Sequence, residues 1–190
     1  MKLSEYFKAS GSLLSGALLL SSLALNVQAA TLVPAESFVH FTCQIMGGPT
    51  RGQFNRFSAR IDLDPAKPTQ GHALIQVDPA SIEVSSSDAE EEARGKNWFD
   101  VAHFPEMRFE SQSIQSAGGQ HYQVKGRMTV AGMAMDMTVP VELVVTPKNE
   151  VAKGRFTLKR SWFRLGKGEW AAFDTVGDDV TVDFQFTLKR

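Results

Sequence analysis

The chain has 190 residues, with 20 basic and 21 acidic side chains and a formal charge of −1. That balance leaves no basic stripe to neutralise a nucleic-acid backbone. The single cysteine, Cys43, excludes an intrachain disulfide and, with it, a haem attached through Cys-x-x-Cys-His.

The first residues read as an export signal. Lys2 and Lys8 precede and flank the start of an apolar run over 13–25, and Val27-Gln28-Ala29 supplies a small-residue cleavage pattern. The run is too short for a comfortable membrane span. The expected organisation is a cleavable signal peptide over 1–29 and one domain over 30–190, delivered to the periplasm.

The domain alternates with period two along most of its length. A strand is expected over 38–45, where Val39, Phe41, Cys43 and Ile45 share a face and make Cys43 a small buried hydrophobe. The turn Met46-Gly47-Gly48-Pro49 then leads to a second strand from Arg51 to Leu63. Phe54 is out of phase with Phe57, Ala59 and Ile61, which predicts a bulge or bend between Gly52 and Phe57. Ala73, Ile75 and Val77 face the core from a third strand. After Pro79 the pattern becomes helical: one of Ser85, Ser86 and Ser87 caps a helix with Asp88, Glu90 and Glu91 near its start and Arg94 at its end. Only Ala89 and Ala93 give it an apolar face, so it is expected over a mouth of the sheet rather than in the core.

The segment 97–110, NWFDVAHFPEMRFE, turns the chain from that helix back into the sheet. Trp98, Phe99, Val101 and Phe104 crowd the bend, and Pro105 lacks an amide and biases Phe104 away from helical dihedrals. Met107 and Phe109 then point inward, followed on the next strand by Tyr122, Val124, Gly126 and Met128. Gly126 predicts a close approach of backbone or a sharp coil. Over 133–145 every odd-numbered residue is apolar, and Pro140, on the other parity, predicts a bend or an edge. Phe156 and Leu158 belong to a further strand, and Val180, Val182, Phe184, Phe186 and Leu188 to the closing one. About eight strands and one short helix read as a closed antiparallel barrel, which leaves no adhesive edge, with a two-sheet sandwich as the alternative.

Several separated motifs carry a resemblance. Arg51-Gly52-Gln53-Phe54, then Asn97-Trp98-Phe99-Asp100-Val101 with Phe104-Pro105 and Phe109-Glu110-Ser111, then YQVKGRMTVAG over 122–132, and finally Val176-Gly177-Asp178-Asp179-Val180 stand in the order seen in the YceI family of bacterial exported proteins. The chain resembles that family over essentially the whole domain. The resemblance implies a mostly β, lipocalin-like eight-stranded antiparallel β-barrel with a short helix near one opening. It also implies a long apolar cavity that holds a polyisoprenoid chain or the tail of an isoprenoid quinone, with no cofactor required. Where family members often carry an Arg-Asp-His-Leu-Arg type of segment, this chain has SDAEEEAR over 87–94, so its lid is more acidic and lacks the histidine.

The inward residues alone would serve a ligand cavity or a solid core equally well. The concentration of methionines suits an adaptable wall, and the resemblance selects the cavity. The candidate ligand-binding residues are Phe41, Phe57, Trp98, Phe99, Phe104, Met107, Phe109, Met128, Met133, Met135, Met137, Trp162, Phe163, Trp170 and Phe173. The basic and aromatic run 159–170 reads either as a rim loop or, through Arg160, Arg164 and Lys167, as a contact for a headgroup or an anionic membrane.

No catalytic arrangement stands out. His40, His72, His103 and His121 lack the spacing of a helical zinc motif, no Gly-x-Ser-x-Gly elbow or phosphate-cradling glycine loop is present, and Glu106 and Glu110 fall on the wet face of a strand. With the ligand that the resemblance implies, the expected function is an exported, non-enzymatic binding or carrier protein for a polyisoprenoid lipid or isoprenoid quinone. A structural or stress-associated interaction module with a solid core is the alternative, and an exported hydrolase a more distant one. Expected partners are the isoprenoid lipid and a transient membrane or quinone-enzyme contact, with a homodimer left open.

Overall fold

The computed structural model describes residues 30–189. The expected signal peptide lies outside the described residues. The strands are β1 (Thr31–Leu32), β2 (Phe38–Ile45), β3 (Gly48–Phe54), β4 (Phe57–Asp62), β5 (His72–Val77), β6 (Ile82–Glu83), β7 (Met107–Gly118), β8 (His121–Val130), β9 (Met133–Val145), β10 (Asn149–Lys159) and β11 (Val176–Lys189), with one α-helix, α1 (Ser87–Arg94), between β6 and β7. All belong to one sheet of order β4-β5-β7-β8-β9-β10-β11-β2-β3-β6, with β1 added on β11, and every pairing is antiparallel.

The sheet is curled but open, which corrects the closed eight-stranded barrel. Eleven strands replace eight. Two of the additions, β1 and β6, are only two residues long and carry no readable alternation. The third arises because the expected strand 51–63 is two strands. β3 pairs β2 and β6, the chain leaves the sheet at Asn55 and Arg56, and β4 pairs β5 at the far edge of the strand order. Of the bulge or bend expected there, the bend is what occurs: it falls at Asn55, and Phe54 is out of phase because it belongs to a different part of the sheet from β4. β4 comes up against β1 without pairing to it, and the Phe57 ring reaches Phe186 on β11 at 5.8 Å between centroids.

Local chemistry sets the register. The β2–β3 and β8–β9 hairpins close through two residues each, Met46-Gly47 and Ala131-Gly132, and all four have positive φ, as a type I′ turn requires. β9 is one continuous strand with odd-numbered side chains inward, as its alternation predicts. Its pairing to β10 covers only residues 142–145 against 150–153. From there to their upper ends β9 and β10 have ladder partners only on their other sides, β8 and β11. Pro140 stands where that pairing stops, beside Gly154, whose missing Cβ leaves room for the Pro140 carbonyl and the Phe184 ring.

Phenylalanine rings lie over inward-facing glycines elsewhere too. Phe41 covers Gly52 across β2–β3, and Phe109 covers Gly126 across β7–β8 next to a register shift between Ser111 and Ser113. A side chain at these glycines would stand the rings up into the interior.

Helix α1 is capped by Ser86, whose Oγ accepts from the Ala89 amide at 3.3 Å, with Asp88 and Glu90 in the first turn. Arg94 in its last turn donates to the carbonyls of Ala80 and Ile82 and pairs with Glu90, fastening the helix to β6 and the turn before it. Ser86→Ala should lower unfolding stability by about 1 kcal/mol in urea titrations. An unchanged midpoint would show that Arg94 alone holds the helix in place.

Candidate functional site

The curled sheet encloses a cavity of about 600 Å³. Its far end is walled by residues such as Leu63, Ala73, Ile114, Val124, Leu143 and Ala152, all of them buried. Strand alternation explains this wall: each strand turns one parity inward, and those positions are almost wholly aliphatic or aromatic. Toward the mouth the lining becomes aromatic. Phe41 and Phe54 stand 5.4 Å apart, Phe99 meets Phe54 edge-on at 5.8 Å, and Trp98 meets Trp170 at 6.1 Å. The mouth is framed by Met46 at the β2–β3 tip, Asp88 and Glu92 of α1, and Thr175 before β11.

One charged side chain is buried in the wall. Arg160 begins the turn after β10, is 2% exposed, and lines the cavity. Its guanidinium donates to the carbonyls of Leu165 at 2.6 Å, Gly166 at 3.4 Å, Trp170 at 2.8 Å, Ala172 at 3.1 Å, Val176 at 2.9 Å and Gly177 at 3.2 Å. It also lies over the rings of Trp98 at 5.2 Å and Phe173 at 4.9 Å. Burial pulls its pKa below the usual arginine value while nearby Asp178 pushes it back up. A guanidinium nevertheless stays charged at any physiological pH, and its planar fork suits this set of carbonyls where a lysine would not. Gly166 must lack a side chain, both because its φ is +78° and because a Cβ would strike the guanidinium.

Several expected site residues do line the cavity: Phe41, Trp98, Phe99, Met107, Phe109, Met128, Phe163 and Trp170. The others lie outside its wall. Phe57 packs on Phe186, and Phe104 covers the Gly132 turn. Met133, Met135 and Met137 point inward, but along the stretch of β9 unpaired to β10, where they are half-buried against the core. Trp162 and Phe173 are 40% and 53% exposed. Arg160, read from sequence as a rim cation, is the buried hub of its loop, whereas Arg164 and Lys167 are exposed.

Phe184 and Phe186 line the cavity without having been singled out, although the inward parity of the last strand already marked them. Cys43 is half-buried in the wall; burial pushes its thiol pKa up, an effect that Arg160 partly offsets. The indole N–H of Trp170 is buried with no hydrogen-bond partner among the described residues.

Asp100 in the bend and the two wet-face carboxylates, Glu106 and Glu110, have ordinary partners. Asp100 meets His103 at 2.9 Å, Glu106 accepts from Gln76 at 2.7 Å, and Glu110 pairs with Arg108 at 2.9 Å. Among the described residues no group of three or more His, Cys, Asp or Glu could hold a metal ion, and no helix is long and apolar enough to cross a membrane. The cavity's chemistry is that of an apolar container with few polar groups in its wall, the buried Arg160 among them.

A family model described as a YceI-like domain matches residues 31–188. BcnA of Burkholderia cenocepacia is similar in structure, with a TM-score of 0.79 at 36% identity over 82% of this chain and 98% of that one. A polyisoprenoid binding domain from Saccharophagus degradans, implicated in plant cell wall breakdown, shares the fold at a TM-score of 0.67 and 13% identity over 85% of this chain and 98% of that one. A UPF0312 protein of Yersinia pestis is 26% identical over 109 residues, and the aligned part spans 57% of this chain and 56% of that relative.

Proposed function

The chain belongs to the YceI family, and on that premise we propose that it is an exported, non-enzymatic carrier whose cavity takes up one long isoprenoid chain. The observation that carries the proposal is the cavity itself: about 600 Å³, walled by apolar side chains and open at one end. Each methylene buried there contributes about 0.8 kcal/mol before ordering costs, so a long tail gains affinity without any buried ion pair. The Saccharophagus domain, described as polyisoprenoid binding, supports the choice of ligand through its shared fold.

In this reading the tail runs down to Ile114, Leu143 and Ala152, while Phe41, Trp98, Phe99, Met107, Phe109, Met128, Phe163 and Trp170 grip its upper part. The polar end of the ligand stays at the mouth beside Trp170, whose N–H has no other partner among the described residues. Residues 1–29 serve as the cleaved signal and 30–190 as the binding domain, so the cargo is carried through the periplasm. If the cargo is a quinone, a membrane quinone enzyme is the partner with which it is exchanged, and any electron transfer belongs to the ligand.

Native mass spectrometry with lipid identification on the freshly purified mature protein should find one isoprenoid per chain. After gentle delipidation, iodoacetamide should alkylate Cys43 slowly at neutral pH because burial raises its pKa, and a rebound isoprenoid alcohol should suppress the reaction further. Delipidated, folded protein that neither rebinds the alcohol nor protects Cys43 would sink the carrier reading in favour of a module without ligand.

A further inference from the structure

Among the described residues the exposed large apolar side chains are Met46, Phe173 and Trp162, at 83%, 53% and 40% exposure. All three stand at the end of the sheet that carries the cavity mouth. Met46 tips the β2–β3 hairpin, and its amide donates to the Thr175 carbonyl at 2.8 Å, so the hairpin and the loop carrying Phe173 form one rim. Phe173 stands on the buried Arg160 at 4.9 Å, and Trp162 lies in the turn that Arg160 begins. Met46 and Thr175 also line the cavity, so this rim is continuous with its opening.

We propose that this rim docks the protein on a lipid bilayer. Met46, Phe173 and Trp162 enter the interfacial region and hold the mouth against the hydrocarbon, so that cargo passes between membrane and cavity without crossing water. The proposal rests on the carrier reading above, since it is a lipid cargo that makes contact between mouth and bilayer useful. A bilayer fits better than a protein partner because the apolar tips project from separate segments, the β2–β3 hairpin, the turn after β10 and the loop before β11, beside the opening that Met46 lines. Charge does not drive the contact. Arg164 and Lys167 are exposed on the loop side, but Asp88 and Glu91 are exposed on α1 on the other side of the mouth, so the rim presents no net basic face to anionic lipid. Apolar insertion of this kind needs no anionic headgroup.

The test is transfer of a pyrene-labelled isoprenoid alcohol from loaded mature protein to phosphatidylcholine vesicles. Docking predicts a transfer rate that rises with vesicle concentration and changes little with added salt. Trp162→Ser/Phe173→Ser, which changes no cavity-lining residue, should slow transfer by about tenfold or more while loading from detergent solution stays the same. A rate independent of vesicle concentration, or unaltered in the double variant, would overturn the docking rim; so would transfer that requires anionic lipid and collapses in salt. If the protein takes up no probe, the carrier reading fails instead. The rim is then judged by flotation of the unloaded protein with the same vesicles, and absence of flotation overturns it.

Discussion

Arg160→Met should lower unfolding stability by about 4 kcal/mol, the largest loss expected from any single change outside the aliphatic core. The substitution keeps much of the apolar stem but removes every donor from the carbonyls of Leu165, Gly166, Trp170, Ala172, Val176 and Gly177. Carbonyls that are buried and unmet cost about 1–3 kcal/mol each, although some of these will turn toward water as the loop loosens. The rings of Trp98 and Phe173 lose their cation at the same time. Arg160→Lys should fall between the two, because an ammonium carries charge but cannot span carbonyls on opposite sides of a planar fork. Urea midpoints of the three proteins provide the measurement. A methionine variant within about 1 kcal/mol of wild type would mean that the loop over 160–176 holds itself.

The second large effect is expected at Gly126. A Cβ there would sit 2.6 Å from the Glu110 carbonyl oxygen and 2.5 Å from the Phe109 ring. The carbonyl is backbone in a strand paired on both sides, to β5 and β8, so it cannot simply move aside. Gly126→Val should therefore cost about 3 kcal/mol, the upper end for overpacking a filled site. The Phe109 ring has one free direction, into the cavity it lines. Calorimetry should show the lower melting temperature, and in conditions where the variant is still folded its uptake of an isoprenoid alcohol should drop. Full capacity in a folded variant would show that the ring escapes some other way.

The sequence disclosed most of what is periodic and little of what is topological. β9 and β11 were legible because alternation is uninterrupted over Met133–Val145 and across the second half of Val176–Lys189. The helix start at the serine run and the aromatic bend after the helix followed from residue chemistry. Phe54 shows where such reading stops: being out of phase is equally consistent with a bulge and with departure to another part of the sheet, and only pairing partners distinguish them. The methionines show a second limit. Met133, Met135 and Met137 have the inward parity that sequence assigns them, but parity gives a face and not a height along the strand, and the cavity takes Val139, Val141 and Leu143 from β9. Arg160 shows a third, since nothing local tells a buried guanidinium from the exposed Arg164 a few residues on; its acceptors are carbonyls scattered over the following loop.

The incomplete pairing between β9 and β10 bears on how the container holds its shape. In a wall that is laddered all the way round, circumference is fixed by strand number at about 4.8 Å per strand. Here the hoop is interrupted twice, at the edge between β4 and β1 and along the upper halves of β9 and β10. Girth at those places is set by soft side chains, among them the three methionines, rather than by backbone hydrogen bonds. Such a wall can follow the kinks and methyl branches of a hydrocarbon without breaking a single ladder rung.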